Sequence, residues 1–378
     1  MKQYLTWAEI DLNAIRYNFR VLRKLAGTAK ILTVIKADAY GHGMLPVAKL
    51  LVQEKVDFIG LSNLNEGITL RKAGIKTPAL LFETTLAEQA EDIIDYKLTP
   101  TVCTFELAAA LNRYAQKRRR MLDIHVKVDT GMGRLGLWYP EIPFFMNKIR
   151  RLRNLRVQGL YTHFPVADID RAFTRKQIQQ FIILLQQLKA DGWHIPYIHA
   201  ANSMGLAGYG THLFNLARPG LMLYGLYPRP ELEKKVNLRP VMSVHSKIIF
   251  LKRVEKGRSI SYGRTFIAPR LMTVATLPIG YSDGYLRGLS GRADVLIGGK
   301  RCPVLGRVTM DQIVVDVSKV KNPRLGMPVV ILGKQGKPPR GSLREEVCAY
   351  ELAQHARTIN YEIVCSLGSR LPRVYKKS

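Results

Sequence analysis

The sequence predicts an α/β protein with two domains: an amino-terminal (β/α)8 barrel of the TIM type, then a smaller, mostly β domain. Three observations predict this. Up to about residue 220, short apolar runs alternate with amphipathic stretches. From about residue 228 the texture changes to short β-branched segments bounded by Gly and Pro. The chain has 378 residues, 47% of them hydrophobic, which excludes global disorder and leaves room for a barrel plus a second unit.

The barrel strands are expected at ILTVI (31–35), VDFIGLS (56–62), PALLF (78–82), LTPTV (98–102), LDIHVKV (122–128), LRVQGLYTH (155–163), YIHAA (197–201) and LARPG (216–220). Between most of them lie stretches such as MLPVAKLLVQEKV, NEGITLRKAGI and RAFTRKQIQQFIILLQQLKADG, with apolar residues at helical spacing and several ends near Gly. Eight strands separated by helices point to a closed parallel barrel. Pattern alone leaves an open, doubly wound sheet as the alternative. YPRPELEKKVNLRP, with three prolines and many charges, reads as a domain edge. The expected domains are therefore 1–234, the barrel, and 235–378, the β domain. In the latter, VMSVHSKIIFLKRV, LMTVATLPIGY, ADVLIGG, RCPVLGRVTMDQIVVDVS and MPVVILG read as mostly antiparallel strands.

Charge and cysteine content narrow the function classes. The 58 basic and 29 acidic residues give a net charge of +29, which could mark a nucleic-acid binder. The basic residues are spread along the whole chain, however, and no RNA-module signature or aromatic–basic stacking pattern accompanies them. Specific nucleic-acid binding is not expected. The densest run, KRRR at 117–120, precedes a strand and suits a helix C-terminus. No apolar run is long enough to span a membrane, and the start lacks the apolar stretch of a secretion signal. Four cysteines lie far apart without a CxxC pair, so a reduced cytoplasmic setting without structural zinc is expected.

Chemistry in a barrel collects at the carboxyl ends of its strands. Lys36 stands at the end of the first strand, Lys127, Asp129 and Arg134 at or after the fifth, His163 after the sixth, Asn202 and Ser203 after the seventh, and Arg218 at the eighth. Taken singly, each has a structural explanation; their joint placement at one mouth carries the functional reading. GMGRLG at 131–136 has the GxGxxG spacing but follows a middle strand, so it is not read as a dinucleotide fingerprint. A desolvated lysine amine is a nucleophile towards carbonyls such as the pyridoxal phosphate aldehyde. Ser203 and Gly220 could offer donors to that cofactor's phosphate. The residues thus reach a Schiff-base enzyme, with a phosphate-sugar aldolase still open.

In chain order, VIKADAYGHG, HVKVDTGMGRLG, THF, ANS, ARPGLMLYG, SYGRTF, LPIGYSDGY, GRVTMDQ and NYEIVC resemble the alanine racemase family across both domains. The resemblance implies a barrel-plus-β homodimer with sites shared between subunits. It implies that Lys36 holds pyridoxal phosphate and takes the α-proton of D-alanine, while Tyr262 of a second copy takes that of L-alanine. Free tyrosine, with a pKa near ~10, is a poor base at neutral pH; Arg218 and His163 are expected to supply the positive field that favours its phenolate. Arg218 is expected to face the pyridine nitrogen and leave it unprotonated, because arginine only donates. Tyr40, Ser203, Gly220, Leu221 and Tyr361 would surround the phosphate. Arg134 and the amide of Met310 would bind the substrate carboxylate. Lys127 matches an often carbamylated lysine that positions Arg134, Asp311 would help shape the site, and Asp168, Tyr281, Arg287 and Arg307 match positions on the substrate's approach. The implied activity is interconversion of L- and D-alanine for peptidoglycan, with a related racemase for serine or a basic amino acid as the alternative.

Overall fold

The computed structural model describes residues 4–209, 214–336 and 345–376. The chain forms two compact units. One comprises Ile15–Ala39 and Met44–Arg239. It contains the expected eight parallel strands: Lys30–Val34, Phe58–Leu61, Ala79–Thr84, Thr99–Val102, Leu122–Asp129, Leu155–Tyr161, Tyr197–His199 and Leu216–Ala217. Leu32 pairs with Phe58, Ile59 with Ala79, Leu80 with Thr99, Thr101 with His125, Lys127 with Tyr161 and Leu160 with Ile198. The eighth strand returns to the first, Leu216 opposite Lys30. At the remaining seam, the amides of Asn215 and Arg218 donate to Ile198 O and Ala201 O, at 3.1 and 2.8 Å. Those two bonds decide for a barrel over an open sheet.

The helices follow from local sequence. Arg171–Ala190 buries Thr174, Gln177, Phe181, Leu184 and Leu188, in steps of three and four that make one helical stripe. Its first turn is capped by Asp170, whose carboxylate accepts from Phe173 N at 2.9 Å. Thr104 caps Phe105–Lys117 in the same way. That helix ends at the KRRR run as expected, and Arg118 pairs there with Glu91 and Asp95.

The other unit comprises Met1–Ala14, Tyr40–Gly43 and Pro240–Ser378. Its main sheet runs Phe250–Val254, Met272–Leu277, Ile313–Asp316, Lys300–Leu305, Asp294–Ile297, Pro328–Gln335, Met242–Lys247, Trp7–Asp11, Arg373–Lys376. Every neighbouring pair is antiparallel except the last. The amino-terminal strand therefore lies with the β elements, although the sequence places it ahead of the barrel. Its alternating pattern explains this: Ala8 and Ile10 are fully buried while Trp7, Glu9 and Asp11 are half-buried, the signature of a strand with two unlike faces. Within the described residues no helix is long and apolar enough to cross a membrane, and all four cysteines are free thiols.

Candidate active site

The first barrel strand leads into an unusual backbone. Ala37, Asp38, Ala39 and Tyr40 have φ of 52°, 52°, 55° and 54°, one turn of left-handed helix made without glycine. Crowding between Cβ and the following carbonyl costs roughly 1–2 kcal/mol for each such residue. Lys36 opens this turn. It is half-buried, not deeply buried as its apolar approach predicts. The first strand is instead anchored just before it: Ile35 N donates to Gly60 O at 2.9 Å, and the Tyr224 hydroxyl donates to Val34 O at 3.0 Å.

The deeply buried lysine is Lys127, 6% exposed. Burial, then the nearby Arg218, lowers its pKa to about 7. Its ammonium lies 4.3 Å from the centre of the Tyr161 ring. Asp129, two residues on, orders the glycine loop. Its carboxylate accepts from the amides of Gly131, Met132 and Gly133 at 2.7–2.8 Å. This explains GMGRLG without a nucleotide, because three converging N–H groups already have an anion. The loop carries Arg134, which is exposed and without a hydrogen bond or ion pair among the described residues.

Arg218 is 3% exposed. It donates to His199 Nδ1 at 2.9 Å, Thr162 O at 2.8 Å, Ala200 O at 3.1 Å and His163 Nδ1 at 3.4 Å. None of these is a carboxylate, and burial lowers the guanidinium to about 10. Arginine offers only donors. His199 must therefore present a lone pair at Nδ1 and carry its proton on Nε2, which donates to His125 Nδ1 at 2.9 Å. His125 Nε2 donates in turn to Gln158 Oε1 at 3.3 Å, and the Gln158 amide to Asp123 at 2.9 Å. Gly159 makes room for this chain, since a Cβ there would lie 2.4 Å from the His125 ring. His199 also stacks on Tyr161, with centroids 4.6 Å apart and planes within 7°.

His163 does not supply the positive field expected of it. Burial, then Arg218, Lys127, Arg134 and Lys36, holds it well below the usual histidine range. It is neutral at neutral pH, and only Arg218 remains as the cation of that pair. Ser203, 3% exposed, accepts from Gly220 N at 3.1 Å and Met222 N at 3.3 Å. Its own hydroxyl proton is left to donate. Leu221 begins the short turn Leu221–Tyr224 that follows. Asp168 is half-buried in the segment after the sixth strand. The barrel unit thus brings together Lys36, Lys127, Arg134 and Arg218 as an electropositive group around the neutral His163, with Ser203, Gly220 and Leu221 beside the eighth strand.

The remaining expected residues belong to the β unit. Tyr40 and Tyr361 face each other with ring centroids 6.0 Å apart. Burial, then Tyr361, raises the Tyr40 phenol above its usual range. Gly41 is required here: a Cβ would lie 2.3 Å from Val364 O. Tyr262 is 72% exposed. It sits on a tight turn between the paired segments Ser259–Ile260 and Phe266–Ile267. Ser261, just before it, has φ 64°, and its hydroxyl donates to Arg307 O at 2.6 Å. Ile260 is anchored among Val254, Ala268, Met272, Val274 and Leu305. The tyrosine is therefore held outwards by its own neighbours. Tyr281 N donates to Thr309 O and Ser282 N to Met310 O, both at 3.0 Å. Met310 and Tyr281 are exposed beside that bridge. Asp311 accepts from Arg370 at 2.8 Å. Arg287 accepts through its carbonyl from Ser290, whose Oγ takes Val308 N at 2.9 Å.

A sequence profile for the alanine racemase N-terminal domain matches residues 10–228, and one for the alanine racemase C-terminal domain matches residues 241–375. The chain belongs to the alanine racemase family. It is 41% identical to an alanine racemase of Halothermothrix orenii, over 98% of this chain and 97% of that one. It is 42% identical to one of Carboxydothermus hydrogenoformans, over 98% and 99%. Among solved structures, an alanine racemase of Clostridium difficile superposes with a TM-score of 0.91 at 36% identity, covering 100% of this chain and 97% of that one.

Within this family frame, the residues that sequence reasoning passed over are His125, His199, Gln158 and Tyr161. A signal was present. Strand residues two apart share a face, so Lys127 at the mouth places His125 on the same inward face, and His163 does the same for Tyr161. Attention to strand ends alone stops one layer short of them.

Proposed function

We propose that the protein is an alanine racemase that interconverts L- and D-alanine with pyridoxal phosphate, as a homodimer. The observation that carries this reading is Arg218: a buried cation at a barrel mouth whose protein partners are all neutral. A group with an acceptor nitrogen and an anionic phosphate fits that donor set, with Ser203, Gly220 and Leu221 for the phosphate and the Lys36 amine for an aldehyde. In the β unit, Tyr40 and Tyr361 are the further phosphate partners. Bound there, pyridoxal phosphate supplies the aldehyde and a conjugated ring that draws charge from the substrate's α-carbon.

The chain's own groups then have distinct tasks. Lys36 Nζ takes or returns the α-proton on the D-alanine face. Tyr262 Oη from a second copy does so on the L-alanine face. The exposure of Tyr262, Tyr281 and Met310 supports a surface completed by another subunit. Arg134, unpaired here, receives the substrate carboxylate together with the Met310 amide. Lys127, whose amine burial holds well below the usual lysine range, is suited to carbamylation, and the resulting anion would hold Arg134. Asp168, Tyr281, Arg287 and Arg307 line the approach, and Asp311, tied to Arg370, supports that rim. D-Alanine formed this way serves peptidoglycan synthesis, and four free thiols fit a cytoplasmic enzyme.

Borohydride reduction with cofactor, followed by peptide mapping, tests the assignment of Lys36. Label on any other lysine peptide overturns it. A turnover panel of L-amino acids tests the substrate: alanine ranking well below serine, lysine or arginine would overturn that part. Tyr262→Phe should lose α-deuterium exchange from L-alanine far more than from D-alanine; equal losses would count against two bases.

A further inference from the structure

We infer that Glu66 is a positioning residue for Lys36, holding the left-handed turn that the lysine opens. The inference rests on the reading of Lys36 as the cofactor lysine. Ala37 N is the first amide after Lys36, and it donates to Glu66 Oε1 at 2.7 Å. The other carboxylate oxygen accepts from Ser62 N, also at 2.7 Å. One side chain thus ties together the carboxyl ends of the first and second barrel strands.

Glu66 is itself fixed. It lies in the first turn of the helix Leu64–Lys72, and its amide donates to the capping side chain of Asn63 at 3.1 Å. Ser62 is fixed in turn by its hydroxyl, which donates to Glu83 Oε1 at 2.6 Å. The far side of the left-handed turn has its own clamp. Asp38 Oδ1 accepts from Met44 N at 2.7 Å, and Ala39 N donates to Ile35 O at 2.8 Å.

The need for such clamps follows from the backbone. Four consecutive residues with side chains hold φ above 50°, a state that only glycine takes without crowding. The turn does not favour itself, so it persists only where surrounding groups impose it. Released from Glu66, the Ala37 peptide relaxes towards right-handed or extended geometry. That rotates the chain at the α-carbon next to Lys36 and moves the amine off its place at the mouth. A charged carboxylate is the stronger acceptor for this purpose, and both of its oxygens are in use. A neutral amide cannot replace it, because its NH2 would meet one of the two N–H groups donor to donor.

The test uses Glu66→Gln and Glu66→Ala in the full-length holoenzyme, with Thr104→Ala as the control. The control removes the cap of another barrel helix, Phe105–Lys117, and touches neither Glu66 nor the Ala37 amide. Glu66→Ala should lower kcat about 10- to 100-fold, an error of placement of the kind that costs such factors, with KM for alanine little changed. Deuterium exchange of the peptide covering Ile35–Tyr40 should accelerate. Glu66→Gln, which keeps the side chain's shape, should shift both readings in the same direction. Thr104→Ala should lower the unfolding temperature but leave kcat and that peptide's exchange near wild type. Unchanged exchange and kcat in both Glu66 variants, or equal effects from Thr104→Ala, would overturn the inference. Wild-type borohydride label away from Lys36 would instead overturn the cofactor assignment beneath it, a separate failure.

Discussion

Arg218 donates to His199 Nδ1 at 2.9 Å, and this one bond sets the direction of every hydrogen bond behind it. An arginine cannot accept, so His199 and His125 must both carry their protons on Nε2, and the chain runs outward to Asp123.

Gly159→Ala tests this chain from its tightest point. The added methyl would stand 2.4 Å from the His125 ring. It should destabilise the protein by about 1–3 kcal/mol, as overpacking does, and lower cofactor affinity by disturbing His199. Gln158→Leu removes only the outer acceptor; it should cost about 1–3 kcal/mol of stability through the stranded His125 N–H, with kcat little changed. Urea denaturation beside turnover assays separates the two outcomes.

The buried histidines make stability fall in acid. Burial lowers His125 to about 4, and burial followed by Arg218 lowers His163 and His199. Unfolded histidine titrates near ~6.5. Below that value the unfolded chain takes up protons that the native chain refuses, so the native state loses ground at up to about 1.4 kcal/mol per pH unit for each histidine. The contribution is fully present above pH 6.5 and, for His125, is lost between there and about 4. Denaturation midpoints at pH 7 and pH 5 should differ accordingly, and His125→Asn should flatten the difference.

Lys127 contributes in the same sense at higher pH. Its native pKa of about 7 lies below the usual lysine value, so its burial opposes folding most at neutral and acid pH. Lys127→Met should therefore raise the denaturation midpoint at pH 7 while lowering alanine affinity through Arg134. Native mass spectrometry in bicarbonate should find wild type heavier by one carbon dioxide and the variant unchanged. An increment in both proteins would locate the carbamate elsewhere.

Gly280→Ala probes the β unit. A Cβ at Gly280 would stand 2.3 Å from the carbonyl oxygens of both Thr309 and Met310. Backbone would have to move, taking the Met310 amide with it. The expected result is a KM for alanine raised about tenfold, a loss of about 1.4 kcal/mol, with unfolding temperature lowered by a few degrees.

Much of the fold was legible because its signals are local. Apolar runs marked the strands, 3.6-residue spacing marked helices such as Arg171–Ala190, and the prolines from 228 to 240 marked the edge between textures. The strand-end rule places Lys36, Lys127, Ser203 and Arg218 at the barrel mouth from sequence alone. What local signals could not give is which distant groups meet. Barrel closure depends on the eighth strand returning to the first, Leu216 opposite Lys30, a pairing between segments far apart in sequence. The left-handed turn after Lys36 contains no glycine to announce it, because its support comes from Glu66, twenty-nine residues from Ala37. His163 reads as a titratable group in the sequence, and only folding buries it beside Arg218, Lys127, Arg134 and Lys36, which holds it neutral well below the usual histidine range. Local sequence patterning specifies the elements, their order and the residue types at the barrel mouth. Tertiary structure decided their protonation, their hydrogen-bond direction and the strained backbone, since those depend on desolvation and on partners brought together only by folding.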